Sequence, residues 1–489
     1  MGTPSTPGIS GLSLSVPRYR VSLEQWAKWV GAPSDKIEAV VGRGFRVCGP
    51  GASVYTMAAD AVLDLIRRYD VDPRDVGMLA FGTESSTDNA AGAVVIRGMV
   101  DDALRQLGRP TLHRSCEVPE LKHACLGGVY GMKAATRYLA HDGRSRRAIV
   151  VSADIAEYER GSTGEQTQGA GAVAMLLDAD PQLCHVDLAG SGNASAYRGV
   201  DFRKPFARHR VDGYAAKTQR LHDFPIFNGK YSTLCYLDAT LRALESMFER
   251  TGESPSAFLD RVAAVVCHRP YHHMPVQAMA TALVWVLARE ADRDALADLC
   301  AEADVDIDTL RQEVQEPPDL FAGLTREGVA VEPFPGLVRL ARHYRKTPAF
   351  KQFVAQRMSL GSQIVRDLGN LYTAALPAWL GAALQDAAER PEELAGQTIL
   401  ALGYGSGDAA EAIPLQVAPG WRAAAAKLGF AEALEGAIDL DRAQYEALHD
   451  AGAEPQTGAS PRGFVVDRVG DRYDPEFQDL GIEYYRWVG

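Results

Sequence analysis

Two titratable side chains stand just past apolar segments that are predicted to form buried strands. Glu84 follows the run 77–83, and His268 follows the run 262–267. Open α/β sheets place their chemistry at the carboxyl ends of such strands. The alternative for Glu84 is a solvated carboxylate in a surface loop. Their positions make both residues candidates for a functional site.

Cys125 is the third candidate. The N–H groups and dipole of a helix's first turn favour a thiolate over a thiol, and Gly127 and Gly128 leave room beside the sulfur. The alternative is a small residue of the core. A buried helix starting at or near Cys125 is predicted from apolar residues at helical spacing, namely Val129, Met132, Ala135 and Leu139.

The elements that position these residues come in two similar series. Continuous apolar strands at 148–153 and 169–177 predict a sheet covered on both faces. Further strands are predicted at 12–16 and 398–403, and helices at 23–30, 55–69 and 232–249. Each series runs strand, helix, strand, with polar residues at the junctions, which indicates a weak internal duplication: Glu84, Cys125 and Asp154, then His268, Asn370 and Tyr404.

The composition limits the class of protein. The chain has 489 residues, 46% of them hydrophobic, which is enough for two core-forming units. A net charge of −12 argues against a nucleic-acid binder, and no apolar run is long enough for a membrane span. Seven scattered cysteines without a Cys-x-x-Cys motif predict no disulfide framework and no metal site, and favour the cytoplasm.

Two segments differ in charge from the rest. Residues 286–330 are rich in acidic side chains and are predicted to form an inserted helical hairpin, within an insertion at about 286–345. A basic run after residue 201 is the candidate for meeting phosphate or an acidic partner, with a solvated basic face as the alternative. Its cations are Arg203, Lys204, Arg208, Arg210, Lys217 and Arg220.

Five separated segments resemble the 3-hydroxy-3-methylglutaryl-CoA (HMG-CoA) synthase family of thiolase-like condensing enzymes, in the family's order. They span most of residues 11–485 apart from the acidic insertion. Several motifs in one order are more specific than any one of them, so the resemblance favours a catalytic Cys125. The segments are 83–85; 123–128; 154–177; 201–205 with 228–232; and 268–271 with 369–374 and 404–407.

The resemblance implies a mechanism for the three candidates. Cys125 would take an acetyl group from a thioester, and Glu84 would remove a methyl proton as general base. The enolate would attack the ketone of a second thioester, and His268, supported by Asn370, would protonate the alkoxide. Water would then hydrolyse the enzyme thioester, without a metal or bound cofactor.

The same resemblance assigns supporting residues. Backbone N–H groups of Cys125 and Ser406 would hold the thioester oxygen, which takes up negative charge. The substrate-binding group that the motifs imply consists of Asn370, Tyr372, Gly405 and Ser406. Asp154 and Asp201 match positions that order the site, and purely structural hydrogen bonding is the alternative for both.

Two positions depart from the pattern of the family. Leu126 follows the cysteine where the family commonly has tyrosine, and His273 takes the place of a lysine that helps to hold coenzyme A. A neutral imidazole does not replace an ammonium charge at a phosphate. The missing lysine and the run Lys122-His123-Ala124-Cys125 look more like the synthases that install β-branches in polyketide biosynthesis.

We therefore predict an α/β protein of thiolase-like fold, with two pseudo-duplicated halves in α-β-α-β-α layers. Residues 11–200 and 201–485 would form the halves, and the enzyme would be a homodimer. It would add an acetyl or propionyl enolate to a β-ketothioester on an acyl carrier protein. The alternatives are a mevalonate-pathway HMG-CoA synthase, a thiolase-fold protein that binds acyl carriers without condensing them, and a decarboxylating or ketoacyl-forming condensing enzyme.

Overall fold

Seventeen strands and sixteen α-helices are found in the described part of this computed structural model, residues 6–204, 224–291, 293–316, 319–325, 328–329, 333–458 and 460–489. The strands are β1 (Gly8–Ser15), β2 (Tyr19–Ser22), β3 (Gly44–Val47), β4 (Val76–Gly82), β5 (Glu120–Leu121), β6 (Arg147–Ala156), β7 (Gly169–Asp178), β8 (Cys184–Val186), β9 (Gly192–Ser195), β10 (Ala264–Cys267), β11 (Leu324–Thr325), β12 (Gly328–Val329), β13 (Thr398–Gly405), β14 (Ala409–Val417), β15 (Ile438–Asp439), β16 (Phe464–Val469) and β17 (Glu483–Trp487).

The helices alternate with these strands along the chain. They are α1 (Leu23–Val30), α2 (Ser34–Val40), α3 (Val54–Arg68), α4 (Gly92–Gln106), α5 (Gly127–Ala140), α6 (Gly229–Thr251), α7 (Pro255–Arg261), α8 (His273–Glu290), α9 (Arg293–Ala303), α10 (Ile307–Gln315), α11 (Pro335–Tyr344), α12 (Pro348–Arg357), α13 (Ala375–Ala388), α14 (Trp421–Ala425), α15 (Phe430–Ala433) and α16 (Arg442–Ala451). No helix in the described ranges is both long and apolar enough to span a membrane.

Ten strands form one mixed sheet in the order β10-β13-β14-β8-β1-β7-β6-β4-β5, with β9 paired to β14. Strands β4 and β6 are parallel, and β6 and β7 form an antiparallel pair. The same pattern recurs in β10, β13 and β14. The helix before each set (α3 or α6) and the helix within it (α5 or α13) recur as well, which confirms the predicted duplication.

The strands are buried because helices cover both faces of the sheet. In β4, Met78 and Ala80 pack into the core that contains α5, and Leu79 and Phe81 pack into the core that contains α3 and α4. This alternation follows from the two-residue period of a strand. Helix α13 is apolar around most of its circumference, as a helix enclosed by protein must be.

Helices α5 and α13 form the central layer. Helix α5 packs on β4, β6 and β7, and α13 packs on β10 and β13. The ammonium of Lys133 on α5 reaches across to the second strand set, where its Nζ lies 2.6 Å from Oε2 of Glu411 on β14. Helix α6 covers β13 and β14, so the order of layers is α, β, α, β, α as predicted.

Several boundaries differ from the predicted ones. Helix α8 continues through residue 286 to Glu290, because its buried face packs on α6, and the insertion therefore begins after that helix. It contains α9 and α10, which correspond to the predicted hairpin, together with β11, β12 and α11. Strand β1 begins at Gly8, before residue 11, and β9 pairs with β14 of the second strand set. The division at residue 200 stays a prediction.

Candidate functional site

A cavity of about 410 Å³ opens between the two strand sets. It brings together residues that are more than 250 positions apart in the sequence, such as Cys125 and Ser406. Seven of the residues predicted from the sequence line it: Cys125, Asp201, His268, Asn370, Tyr372, Tyr404 and Ser406.

Glu84 joins this group through Cys125. The Sγ of Cys125 lies 3.2 Å from Oε2 of Glu84 and donates a hydrogen bond to it. Cys125 stands two residues before the first residue of α5, and only 6% of its surface is exposed. The loop after β4 thus brings a carboxylate to the thiol, as the sequence predicted for the end of that strand.

The surroundings of Cys125 favour the protonated thiol. Burial, followed by the charge and hydrogen bond of Glu84, raises the pKa of the thiol well above its usual range. Burial, with a contribution from Asp154, raises the pKa of Glu84 to about 8, although Lys204 and Lys122 oppose that shift. The thiolate predicted from the helix terminus is therefore wrong, because a buried carboxylate beside the sulfur disfavours a second negative charge.

Asp154 anchors the Glu84 loop and does not line the cavity. Its Oδ1 accepts hydrogen bonds from the N–H of Glu84 at 2.7 Å and of Ser85 at 2.9 Å, and from the hydroxyls of Thr83 and Ser85. Its Oδ2 accepts from the N–H and the hydroxyl of Thr373, just before α13. Asp154 is fully buried, so these donors compensate for its lost hydration.

His268 is a neutral imidazole at the cavity wall. Burial lowers its pKa to about 3, and its ring lies against those of Tyr236 and Tyr404. Within the described ranges its Nδ1 has no hydrogen-bond partner, and it makes no hydrogen bond to Asn370. Asn370 instead accepts the N–H of Tyr372 at 3.0 Å, because that turn is tight. The support of His268 by Asn370 therefore stays a prediction.

Asp201 belongs to a buried polar cluster behind the cavity. The hydroxyl of Tyr404 donates to its Oδ2 at 2.7 Å. Oxygens of Asp201 and Asp408 and the sulfur of Cys235 all lie within 4.8 Å of one another. Burial raises the pKa of Asp408 to about 7, and Arg198 opposes this rise. Asp201 thus orients Tyr404 at the cavity wall. The raised pKa of Asp408 favours a bound proton within this cluster.

The end of β13 meets the loop before Cys125 at short range. A Cβ atom on Gly405 would lie only 2.9 Å from the carbonyl oxygen of His123, so this close backbone approach requires glycine. Leu126 packs against Gly405 and Gly403 and is fully buried in the core, away from the cavity. Leucine at this position therefore serves the packing of α5 on β13.

An aromatic wall beside the thiol was not predicted from the sequence. Tyr158, Phe202, Phe227 and Tyr372 pack edge to face or tilted, with ring centroids 5.9–6.3 Å apart, and form one apolar cluster with Cys125. Each ring comes from a different segment, so no periodic pattern marks them. Together they shield the sulfur from bulk water.

Only two of the six cations that were predicted to meet phosphate lie in the described ranges, Arg203 and Lys204. The backbone of Arg203 pairs with that of Ile226, and the charge of Lys204 acts on Glu84, but neither side chain lines the cavity. The other four cations of the basic run lie outside the described residues: Arg208, Arg210, Lys217 and Arg220. His273 is not an isolated imidazole, because its Nε2 contacts Nη1 of Arg345.

Comparison with known proteins identifies relatives over most of the chain. Hydroxymethylglutaryl-CoA synthase from Haloferax volcanii is 27% identical over 398 residues, covering 81% of this chain and 80% of the relative. The enzyme of that name from Enterococcus faecalis is 26% identical, covering 91% of both chains.

Solved structures agree with these relatives. MvaS in complex with 3-hydroxy-3-methylglutaryl coenzyme A superposes with a TM-score of 0.76 at 27% identity, over 99% of both chains. The curacin biosynthetic pathway HMG synthase, solved in complex with acetyl donor-ACP, has the same fold, with a TM-score of 0.70 at 19% identity over 99% of this chain and 100% of that one.

Two family models match separate parts of the chain. The one described as hydroxymethylglutaryl-coenzyme A synthase N terminal matches residues 3–182, and the one described as the C terminal matches 342–446. The matched regions contain the Cys125–Glu84 pair and the Asn370 turn. This chain is therefore an acyl thioester-condensing enzyme of thiolase-like fold and belongs to the hydroxymethylglutaryl-CoA synthase family.

Proposed function

We propose that Cys125 carries the acyl group during condensation. The observation that supports this most directly is the 3.2 Å hydrogen bond from its Sγ to Glu84 at the wall of the cavity. The thiol attacks the donor thioester, its proton passes to Glu84, and Glu84 returns it to the departing pantetheine sulfur. An acetyl-cysteine and a free pantetheine thiol result.

Glu84 then acts as the base for carbon–carbon bond formation. It removes a proton from the methyl group of the acetyl-cysteine, and the resulting enolate attacks the β-ketone of the acceptor. Its raised pKa suits this task, since a base titrating near ambient pH combines availability with proton affinity. Backbone N–H groups of Cys125 and Ser406 stabilise the enolate oxygen.

His268 assists at the acceptor ketone. As a neutral imidazole it donates one N–H to the ketone oxygen and passes that proton to the alkoxide as the bond forms. Tyr404, fixed by Asp201, packs against the ring and restricts its orientation. Water finally hydrolyses the cysteine thioester, which frees Cys125 and leaves a carboxylate on the product.

We assign the donor and acceptor to acyl carrier proteins, so that the product is a β-branched polyketide intermediate. Support comes from the run Lys122-His123-Ala124-Cys125, from the absence of a lysine at His273, and from the basic run beginning at Arg203. The curacin synthase, which has the same fold, has been solved with a donor carrier protein. In solution we expect a homodimer, whose mass light scattering would measure.

A second candidate is the HMG-CoA synthase of the mevalonate pathway. It is favoured by the 27% identity to MvaS, whose structure contains 3-hydroxy-3-methylglutaryl coenzyme A. Under this alternative both substrates are coenzyme A thioesters, and the site chemistry is the same.

The deciding experiment offers acetyl groups on coenzyme A and on carrier protein separately, with acetoacetyl thioesters of each as acceptor. Our proposal predicts a kcat/KM at least tenfold higher when both substrates are carrier-bound. Equal or faster turnover with coenzyme A at both positions would contradict it and favour the mevalonate enzyme.

A further inference from the structure

Arg345 brings a positive charge from the insertion to the edge of the cavity. It follows the last residue of α11, and its Nη1 contacts Nε2 of His273, the first residue of α8. The neighbours of His273, Tyr271 and Met274, both line the cavity. The charge of Arg345 also partly offsets the burial that raises the pKa of Tyr271, as expected for groups close together.

Within the described ranges, this cation has no acidic partner. No carboxylate of the described residues lies within 4.0 Å of the Arg345 guanidinium, although Arg339 and His343 of α11 have acidic partners. Arg339 contacts Asp304 at 2.5 Å, and His343 contacts Glu302 at 3.0 Å. Arg345 is half-buried, and burial with the charge of Arg342 lowers its pKa. A half-buried cation without a counter-charge is costly unless an anion binds it.

Two further arginines act on His272, the residue before His273. Burial lowers the pKa of His272 to about 4, and the charges of Arg269 and Arg366 lower it further. Arg366 is paired with Glu38 at 3.4 Å, and Asp367 is paired with Arg20 and Arg43. In a chain of net charge −12, the Arg345 cation near the cavity mouth attracts an anionic group of the substrate.

We propose that Arg345, held by His273, binds the phosphate of the phosphopantetheine arm while the thioester end of the arm lies in the cavity. A neutral imidazole nitrogen accepts one N–H of the guanidinium and fixes its plane. The remaining N–H groups then form a fork that matches two phosphate oxygens. The proposal rests on the proposed function only in requiring a pantetheine thioester as substrate.

Arg345 also gives the insertion a function in substrate binding. Helix α11 packs on α8 and on the insertion helices α9 and α10, so these elements hold Arg345 at the mouth. The insertion thereby selects substrates that carry a phosphate on the pantetheine arm over plain pantetheine thioesters. This selection applies equally to coenzyme A and carrier proteins, which share that phosphate.

Binding of 4′-phosphopantetheine and of pantetheine, measured by calorimetry, tests the site without catalysis. We expect the Arg345→Gln variant to reduce the preference for the phosphorylated compound about tenfold to a hundredfold. Arg342→Gln, an equal charge change at an exposed position three residues earlier, should keep the preference. Adding His273→Lys to Arg345→Gln should restore most of it. An equal loss in both single variants, or no loss in either, would overturn the proposal.

Kinetics separate this inference from the donor assignment. The ratio of kcat/KM for a phosphate-bearing donor to that for acetyl-pantetheine should fall at least tenfold in Arg345→Gln, with acetyl-CoA and with acetyl-carrier protein alike. A fall with acetyl-CoA alone would assign Arg345 to the nucleotide and contradict the proposal. If the wild type does not use the carrier donor, the β-branching function fails, and the acetyl-CoA measurements still test Arg345.

Discussion

Asp154 and Thr373, which are 219 positions apart, are joined by a 3.0 Å hydrogen bond from the Thr373 N–H to Oδ2 of Asp154. The other oxygen of Asp154 binds the backbone of Glu84. One fully buried carboxylate therefore connects the loop that carries Glu84 to the turn that leads into α13. The spacing of the catalytic groups depends on this connection between the two strand sets.

Replacing Asp154 tests that connection. Asp154→Asn presents an amide N–H₂ to donors that need an acceptor, so we expect a loss of about 2–4 kcal/mol in the free energy of unfolding. Turnover should also fall, because the Glu84 loop loses its anchor. Urea unfolding and kcat measure both effects. Asp319→Asn, in an exposed turn of the insertion, should cost under about 0.5 kcal/mol; equal stability losses in the two variants would refute the role.

Mass spectrometry of the intact protein tests the acyl-enzyme. After incubation with an acetyl thioester, the wild type should carry one acetyl group, and Cys125→Ala should carry none. Cys116→Ala is the matched control, because Cys116 is also buried but packs beside α4, in the core away from the cavity. No adduct in the wild type, or an adduct that persists in Cys125→Ala, would favour an acyl-carrier-binding protein that does not condense.

The pH dependence of condensation should have one limb in the neutral range. Glu84 must be ionised to act as a base, so kcat should rise with pH until it levels off above about 8. His268, with a pKa of about 3, should add no limb there. Stopped assays of product formation across pH 5–9 would show the profile. A limb near pH 6.5 that disappears in His268→Asn would contradict a neutral imidazole.

The pH dependence of the free energy of unfolding should also reflect the raised pKa of Glu84. Between pH 4.5 and about 8, folded Glu84 keeps a proton that the unfolded chain releases, so the free energy of unfolding falls as pH rises through this window. Glu84→Gln removes this contribution, and its stability should fall less steeply with pH. Glu24→Gln, at an exposed carboxylate of α1, should keep the wild-type slope. Identical slopes for wild type and Glu84→Gln would exclude the raised pKa.

The ion pair between α5 and β14 provides a test of the layer packing. Lys133→Met leaves the buried Glu411 without its cation, and we expect a loss of about 3–5 kcal/mol in the free energy of unfolding. Adding Glu411→Leu should recover most of this loss, because the pair is then replaced by apolar groups. Lys28→Met breaks an exposed pair and should cost about 1 kcal/mol or less. A loss no larger in Lys133→Met than in Lys28→Met would contradict the buried pairing.

Sequence patterns located several of the strands and helices that carry the site, and the residues that stand at their ends. Apolar runs located β4, β6 and β10, and helical spacing located α5 to within two residues of Cys125. The order of the motifs also indicated the family, which the comparisons confirm. These features are local, because hydrophobic periodicity reports which face of a segment is buried.

The tertiary structure decided the pKa shifts and the hydrogen-bond partners of the site residues. It disfavoured the predicted thiolate of Cys125, placed the amide oxygen of Asn370 on the N–H of Tyr372, and brought Arg345 from the insertion to His273. Each outcome depends on groups from distant segments that meet in a low-dielectric interior. The sequence determined which residues stand at strand and helix ends; only folding decided which charges and donors face one another there.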